Sequence, residues 1–424
     1  MICIVTQHFN LNRICLMLIG LWPYECSKLV RFQTFFCFTI LISSVVYQLA
    51  VFISEDCTIN LILKVFSIAL LFFMYVIEYN SFRINRQIIK WSLDQLQHIC
   101  DELKDEKEID IMKKCGDDTR RYTILLILLD VINLIVIPLL PFLLYAYDVL
   151  LRINKYHISN VIHMLIPKHF LGRDNYIYLI ILHSGSSIAI GGLILIATMT
   201  MCVAYIKHAC GMFKIASYRI EKAIAINMLK NSSLENEFMM YREIIHAVDI
   251  HRKAMKSTIL FFSGFQRSRF ILLIIGVLTL SLNFYEISEI ISYGRDIYDC
   301  LFHFLIIIDI FAYVFLFNYA GQEFTDHNEH IFTTVYNVQW YVTPIHVQKL
   351  ILFLLQRGNK TVSLNFGIVF VLSMELFAAY SNALVLVFLF SQQACRKNGI
   401  PSEMRSKRNG CLKERTVAFC VDFD

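Results

Sequence analysis

The sequence predicts an all-α membrane protein with seven spanning helices. Three observations carry this prediction: 57% of the 424 residues are hydrophobic, only 17% are charged, and long apolar runs recur along the chain. A run of about twenty apolar residues crosses the hydrocarbon core of a bilayer as a helix. Few charges are expected where lipid covers the protein surface, and the low Gly and Pro content argues against a collagen-like or disordered chain.

The elements are predicted in order from these runs. Residues 1–31 form a cytosolic segment with an interfacial helix, which places Trp22 at the depth of the lipid headgroups. Seven segments can span the bilayer: 32–53, 59–79, 122–147, 175–206, 270–292, 301–319 and 364–393. Helices one to four therefore occupy 32–206, and helices five and six occupy 270–321.

The remaining segments lie outside the bilayer. Residues 207–269 carry charges and apolar residues at helical spacing and are predicted to extend the helices into the cytosol. Residues 322–363 form a second cytosolic region. The polar tail 394–424 is a break in composition and is predicted to be disordered.

The orientation follows from the Lys and Arg residues. The N-terminus and the loops on its side of the membrane carry 26 of them, whereas the loops on the opposite side carry five. Since cytosolic loops are rich in Lys and Arg, the N-terminus is predicted to be cytosolic and the C-terminus extracellular. This topology is the inverse of that of G-protein-coupled receptors. Seven basic residues in the tail oppose it, but the other flanks agree.

Several other classes lack support in the sequence. A net charge of +5 is too small to indicate a nucleic-acid partner, and the thirteen Cys contain no CxxC pair. The sequence leaves one alternative, an external disulfide between Cys57 and Cys300. We find no motif of a nucleotide-binding, hydrolytic or zinc enzyme, and therefore predict no catalytic residue, cofactor or metal. The acidic and His-rich run 326–330 is expected to be a solvated turn.

Charged residues inside the spans are candidates for function, because an ionisable group in hydrocarbon needs a partner or water. Glu375 lies about eleven residues into the seventh segment. It either faces a pore, where it would favour cations, or pairs with another helix. Asp130 and Asp309 are expected to be interhelical or interfacial partners.

A small apolar ligand would be held by an apolar cavity with few polar groups. The candidate residues for such a cavity are Phe72, Tyr75, Pro141, Tyr145, His183 and Ser187. Ordinary helix packing is the alternative for each of them. Glu78 is the weakest candidate, because the topology places it near the inner end of its span.

Four stretches are similar to a known family. They are Gly20-Leu21-Trp22-Pro23, the stretch from His208 to Glu221, His251-Arg252-Lys253-Ala254, and the stretch from Gly321 through Asn337-Val338-Gln339-Trp340-Tyr341 to Arg357. On these residues the chain resembles the insect odorant receptors over nearly its whole length, and those of Hymenoptera in particular. The resemblance implies the same inverted topology that the basic residues predict.

The resemblance also implies a mechanism and partners. Such receptors are ligand-gated, non-selective cation channels of the plasma membrane of sensory dendrites. They assemble as heterotetramers with a shared co-receptor and bind a small volatile between the second, third, fourth and sixth helices. The region 322–363 would be the anchor where subunits meet, through Trp340, Tyr341, Lys349, Leu352 and Gln356. The seventh helix would line the pore, with Glu375, Leu384, Phe388, Leu389, Ser391 and Gln392 as pore or gate residues.

Two features depart from the family pattern. The tail beyond Gln393 is atypical, and Val385-Leu386-Val387-Phe388 replaces the usual aromatic and polar pattern of the last helix. The long cytosolic insertion of the co-receptor is absent, so the chain resembles a tuning subunit. The alternatives are a gustatory-type channel and a metabotropic seven-helix receptor. A transporter or membrane enzyme is a more distant alternative, because we see no internal repeat in the sequence.

Overall fold

The computed structural model describes residues 8–54, 59–150, 177–229, 234–292, 297–358, 362–366 and 370–398. The side chains of residues 133–150 and some at the range ends lie outside that description. Almost all of the described residues are helical, which confirms the all-α class. The helices are α1 (Asn10–Leu18), α2 (Lys28–Leu49), α3 (Val51–Ser54), α4 (Ile59–Ile84), α5 (Arg86–Asp101), α6 (Glu106–Leu150), α7 (Ile177–Leu229), α8 (Leu234–Ser263), α9 (Gln266–Ser292), α10 (Ile297–Asn337), α11 (Ile345–Gly358) and α12 (Met374–Asn398).

Several of these helices can cross a bilayer. Within the described residues, five are long and apolar enough: Lys28–Leu49, Leu61–Ile84, Leu182–Ala225, Gln266–Ile291 and Cys300–Asn337. They correspond to the first, second, fourth, fifth and sixth predicted spans. The third predicted span lies within α6, and the seventh corresponds to the shorter apolar helix Met374–Phe390. The structure is therefore that of a polytopic helical membrane protein.

Helix α7 forms the centre of the fold. It packs against α1, α2, α4, α6, α8 and α10. Small residues such as Ala197, Ala204, Ala209 and Ala216 are fully buried along it, and small side chains let neighbouring helices approach closely. With 53 residues, α7 is about 80 Å long at 1.5 Å per residue. It is much longer than the hydrocarbon core of about 30 Å, so it projects far beyond one membrane surface.

The segment after α1 is folded into the protein. Gly20 has a φ of +72°, and a Cβ there would lie 2.8 Å from Thr34 Oγ1, so glycine is required at this turn. Trp22 is 3% exposed. Arg86 donates hydrogen bonds to the carbonyl oxygens of Trp22 (3.1 Å) and Pro23 (3.2 Å). Trp22 is therefore packed within the protein, and Arg86 at the start of α5 holds the backbone of the turn. Its depth at the level of the lipid headgroups stays a prediction.

The seventh span does not begin at residue 364. A short antiparallel hairpin, β1 (Asn365–Phe366) and β2 (Phe370–Val371), precedes α12. Ser373 caps the helix, since its Oγ accepts a hydrogen bond from the N–H of Leu376 at 3.2 Å. Two side chains of α10 hold this end: Asn318 Oδ1 accepts from the N–H of Ser373, and Gln322 Oε1 from that of Met374. These contacts start the helix ten residues later than hydropathy predicts.

Ion pairs join α6 and α7 where both project beyond the apolar layer. Arg219 makes a two-point contact with Glu108, at 2.6 and 2.8 Å. Lys222 lies 2.5 Å from Asp105, and the hydrogen bond from its ammonium group lowers the pKa of the Asp105 carboxyl below its ordinary value. Glu108 is in the first turn of α6, where the helix dipole also favours a negative charge. These contacts fix the register of the two helices.

Candidate ligand-binding cavity and pore helix

A cavity of about 300 Å³ lies between α4, α6, α7 and α10. Most of its lining is aliphatic, with Leu71, Leu126, Leu195 and Ile306 as examples from the four helices. Ligand pockets in proteins measure roughly 300–1,000 Å³ and are mostly apolar with few polar groups. The cavity is at the small end of that range and suits a small ligand. These are also the four helices between which the resemblance places a ligand.

Four polar side chains interrupt the apolar lining: Tyr75, Asp130, Asp309 and Tyr313. The carboxylates of Asp130 and Asp309 both act electrostatically on the Tyr75 hydroxyl, so the three groups share one region of the cavity. No Lys, Arg or His occurs among the described lining residues. Asp130, expected to be an interhelical or interfacial partner, makes no hydrogen bond or ion pair with any described residue. The cavity is therefore mostly apolar, with two acidic side chains and two tyrosines in its described lining.

Two consecutive glycines of α7 make room for Tyr75 and Asp130. A Cβ at position 191 would overlap the ring of Tyr75, and one at position 192 would lie 2.7 Å from Asp130 Oδ1. The absence of side chains at Gly191 and Gly192 lets α4 and α6 bring their polar groups directly against α7. The small-residue face of this helix thus shapes the cavity wall.

The predicted binding residues occupy different places. Tyr75 lines the cavity, and Phe72 is buried beside it with ring centroids 6.0 Å apart. His183 and Ser187 lie on the face of α7 that meets α2, where they contact Ser43 and Ser44 respectively. The side chains of Pro141 and Tyr145, the other two candidates, lie outside the described residues. Tyr75 is thus the predicted residue that the structure brings to the cavity, and Asp130 and Tyr313 are additions.

A buried ion pair between α4 and α9 lies next to the cavity. Arg269 Nη2 lies 2.7 Å from Glu78 Oε1, and the two side chains are 3% and 0% exposed. Arg269 also donates a hydrogen bond to the Tyr313 hydroxyl, and its guanidinium group lies 4.9 Å from the centre of the Phe317 ring. The sequence placed Arg269 at the end of the cytosolic helical extension 207–269, but it belongs to the first turn of α9, and Glu78 neutralises its charge inside the bundle. Tyr313 therefore connects this ion pair to the cavity wall.

A smaller cavity of about 50 Å³ continues from this point toward α12. Its lining includes Arg269, Ile310 and Tyr313, and it reaches Leu376 and Tyr380 on α12. Ile310 and Tyr313 line both cavities. Ile310 and Tyr313 therefore stand between the large cavity and the smaller one, which residues of α12 also line.

Comparisons with known proteins identify the family. The family model described as 7tm Odorant receptor matches residues 55–385, which is more than three quarters of the chain. The chain belongs to this family. No curated protein matches the sequence at a significant level.

Two solved structures share the fold of this odorant receptor. One is the insect olfactory receptor OR5 from Machilis hrabei, with a TM-score of 0.73 and 14% identity, covering 92% of this chain and 98% of that one. The other is the same receptor in complex with eugenol, with a TM-score of 0.72 and 13% identity, covering 92% and 97%. At such identities the likeness concerns the fold alone.

Helix α12 of the receptor carries the predicted pore residues. Leu384 is buried, Phe388 packs against Phe284 with ring centroids 5.4 Å apart, and Leu389 is exposed. Glu375 is exposed in the first turn of α12, whereas hydropathy placed it about eleven residues into the seventh segment. Gln392 is half-buried, and the side chain of Ser391 lies outside the described residues. Val385, Leu386 and Phe390 give α12 a further exposed apolar surface.

The predicted anchor residues lie on and before α11. Tyr341 and Leu352 are exposed at 63% and 60%. Lys349 and Gln356 are also exposed, whereas Trp340 is half-buried against the core. Other large apolar side chains are exposed on the same segment: Tyr336, Val342, Ile345 and Phe353. An apolar patch of this kind marks an interaction surface in many proteins.

Proposed function

We propose that this odorant receptor is the ligand-binding subunit of a ligand-gated, non-selective cation channel. A small volatile would bind in the cavity between α4, α6, α7 and α10 and open a pore formed by α12 together with a co-receptor. The observation that carries the proposal is the continuity from cavity to α12. Tyr313 and Ile310 line the ligand cavity and also the smaller cavity that Leu376 and Tyr380 enter.

The coupling can be described as a population shift. A ligand favours the open state only if it binds that state more tightly than the closed one. Tyr313 would respond to the occupant of the cavity, and it contacts Arg269, which is held by Glu78. A change in Tyr313 would then alter the packing of Tyr380 on α12. The Machilis hrabei receptor in complex with eugenol supports a small organic molecule as the ligand of this fold.

The pore and its partner are inferred from exposed surfaces. The exposed Glu375 at the start of α12 would favour cations at one mouth of a pore. Leu384, Phe388 and Leu389 would form the constriction, with Gln392 and Ser391 beyond it. The exposed side chains around α11, including Tyr341 and Leu352, would meet the co-receptor in a heterotetramer. The basic residues support a cytosolic N-terminus, and membership of the odorant receptor family supports location in the plasma membrane.

The test is whole-cell current in cells expressing this chain with and without an odorant co-receptor, under block of G-protein signalling. A panel of small volatiles is applied. A rapid cation current that needs both chains supports the proposal. A response abolished by the block supports the metabotropic alternative instead. Complexes that reach the surface but stay silent to every volatile in the panel count against the channel.

A pair of variants on α4 separates binding from folding. Tyr75→Ala removes a cavity side chain, and Phe73→Ala removes an exposed aromatic ring two residues earlier. We expect Tyr75→Ala to shift the dose–response curve more than it changes surface expression, and Phe73→Ala to change neither. If Tyr75→Ala lowers expression alone, Tyr75 is a packing residue.

A second pair tests the pore. Glu375→Gln removes the charge at the start of α12, and Glu235→Gln removes a first-turn charge from α8. We expect the first to change ion selectivity or cation block and the second to leave both unchanged. Unaltered permeation in Glu375→Gln removes this residue from the pore.

A further inference from the structure

The carboxylate of Asp130 is the feature of the cavity that ordinary packing does not explain. It lies on the transmembrane part of α6 and faces a space whose lining is otherwise mostly aliphatic. An ionisable group at such a depth is costly unless it finds a partner or water. The described lining offers Asp130 no basic side chain. A carboxylate such as Asp130, with no basic side chain in the described lining, is complementary to a ligand that carries the cation.

The position of this carboxylate is fixed by its surroundings. The Asp130 carboxylate packs directly against α7 at Gly192, where an added Cβ would lie 2.7 Å from Asp130 Oδ1. Asp309 lines the same cavity, and its carboxylate and that of Asp130 both act on the hydroxyl of Tyr75, so the two acidic residues lie near the same tyrosine. The rings of Tyr75, Phe302 and Tyr313 contribute further to the lining. Aromatic faces attract an organic cation as well.

We propose that the cavity takes small amines in their protonated form, with Asp130 as the counter-ion of the ammonium group. This inference rests on the proposed function of the cavity as the volatile-binding site and specifies its ligand class. The ammonium group supplies donors to a carboxylate that is acceptor-only when ionised. The hydrocarbon body of the amine fills the aliphatic part of the cavity, lined by residues such as Leu126 and Ile306. The volume of about 300 Å³ limits the body to a short chain or one ring.

The charge of the ligand follows from its ordinary pKa. An aliphatic amine resembles the Lys side chain, whose pKa is about 10.4, and is therefore almost fully protonated near pH 7. The Coulomb attraction between opposite charges is much stronger in a medium of low dielectric constant than in water. An alcohol of the same shape offers one donor without a net charge. The difference in affinity between the amine and the alcohol therefore measures the contribution of the Asp130 charge.

The experiment uses three probes of one shape: 2-phenylethylamine, 2-phenylethanol and ethylbenzene. Purified complexes of the receptor with its co-receptor are tested for binding by ligand-induced thermal stabilisation, and the same probes are applied in current recordings. Asp130→Asn keeps the size of the side chain and removes its charge. Asp118→Asn is the matched control, because Asp118 lies on the same helix, is exposed, and pairs only at the surface with Arg121 at 3.6 Å.

We expect the amine to bind at lower concentration than the alcohol and the hydrocarbon. In Asp130→Asn the concentration for half-maximal effect of the amine should rise by about tenfold or more, as loss of a charged hydrogen bond predicts. That of the alcohol should change by less than about threefold, and Asp118→Asn should leave all three unchanged. Equal or tighter binding of a neutral probe, or an equal effect of Asp130→Asn on amine and alcohol, overturns the proposal.

The two proposals fail in different ways. Currents from neutral volatiles without amine binding leave the channel standing and overturn the amine assignment. Amine binding that depends on Asp130 but produces no current supports the assignment and counts against ligand gating. If none of the three probes binds to the purified complex, the amine assignment is wrong.

Discussion

Glu78 and Asp130 are two acidic residues within the same helical bundle, and the structure treats them in opposite ways. Glu78 is fully buried and lies 2.7 Å from Arg269. Asp130 faces an open cavity and has no partner among the described residues. Both sit at depths where a lone charge is unfavourable. Arg269 neutralises the charge of Glu78. No basic residue of the described lining neutralises the charge of Asp130.

The comparison of Glu78 with Asp130 shows which acidic residue contributes to stability and which is available for binding. The Glu78–Arg269 pair joins α4 to α9 within the bundle, next to Tyr313. Removing one member of a buried pair leaves an uncompensated charge, which is much worse than removing both. The cavity around Asp130 instead retains space and an unmatched charge. Sites that bind ligands are often less stable than they could be for this reason.

The largest expected effect comes from breaking the buried pair. Arg269→Met should destabilise the receptor by roughly 3–5 kcal/mol, because Glu78 stays buried without its cation. Surface expression and the thermal unfolding of the purified protein report the loss. The control Arg267→Met removes an exposed arginine two residues earlier and should have little effect. The double variant Glu78→Leu with Arg269→Met should recover much of the stability, and a stable Arg269→Met single variant would contradict the role of the pair.

A smaller effect is expected where α7 meets the cavity. Gly192→Ala places a Cβ 2.7 Å from Asp130 Oδ1, so the carboxylate or the helix must move, at a cost of about 1–3 kcal/mol. It should also weaken the response to the ligand. Gly185→Ala is a matched control on the same helix, since nothing lies within 4 Å of its added Cβ. Equal dose–response curves and melting temperatures for the two variants would show that Gly192 does not position Asp130.

Removing the charge of each carboxylate in turn should change the stability of the receptor in different directions. Asp130→Asn should leave stability unchanged or raise it by up to about 1 kcal/mol, because it removes an unmatched charge. Glu78→Gln should lower it by more than about 2 kcal/mol, because Arg269 then lacks its anion. Thermal unfolding of the two purified variants without ligand provides the comparison. Equal destabilisation in both would mean that Asp130 has a structural partner in the folded receptor.

The smallest effect is expected for an ion pair at the surface. Asp105 and Lys222 lie outside the apolar layer and are partly exposed, so Lys222→Met should cost less than about 1 kcal/mol at pH 7. The pKa of Asp105 is lowered in the folded state, chiefly by the hydrogen bond from Lys222. Its contribution is therefore complete above the unfolded pKa near 4 and is lost as the pH falls through the folded value. Melting curves of wild type and Lys222→Met should converge toward pH 3, and a constant difference would contradict the pairing.

Hydropathy predicted the spanning helices well, because the bilayer requires long apolar runs whatever the tertiary structure. It placed the start of α12 wrongly, since the apolar residues before Ser373 form a hairpin. That boundary depends on Asn318 and Gln322 of α10, which are distant in sequence. Because the helix begins later, Glu375 lies in its first turn and not about eleven residues into it.

The cavity was predicted only in outline. The resemblance indicated its four helices and Tyr75 was among the candidates, but His183 and Ser187 face α2 instead. Which face of a helix meets a cavity depends on the rotation of each helix against its neighbours, and hydropathy carries no information on this within lipid. Asp130 was noticed in the sequence as a charge within a span, but it was interpreted as an interhelical or interfacial partner and not as a cavity residue, although such residues are functional by default.

The length of α7 carries a consequence for how this chain can vary. The helix runs without interruption from Gly192 at the cavity to Arg219 and Lys222 at the ion pairs with α6. One inserted or deleted residue between these points would rotate everything beyond it by about 100°, and Arg219 would turn away from Glu108. Substitutions are therefore tolerated along this stretch far more readily than changes in length. Among related receptors, the spacing from the glycine pair to the arginine should be more constant than the residues between them.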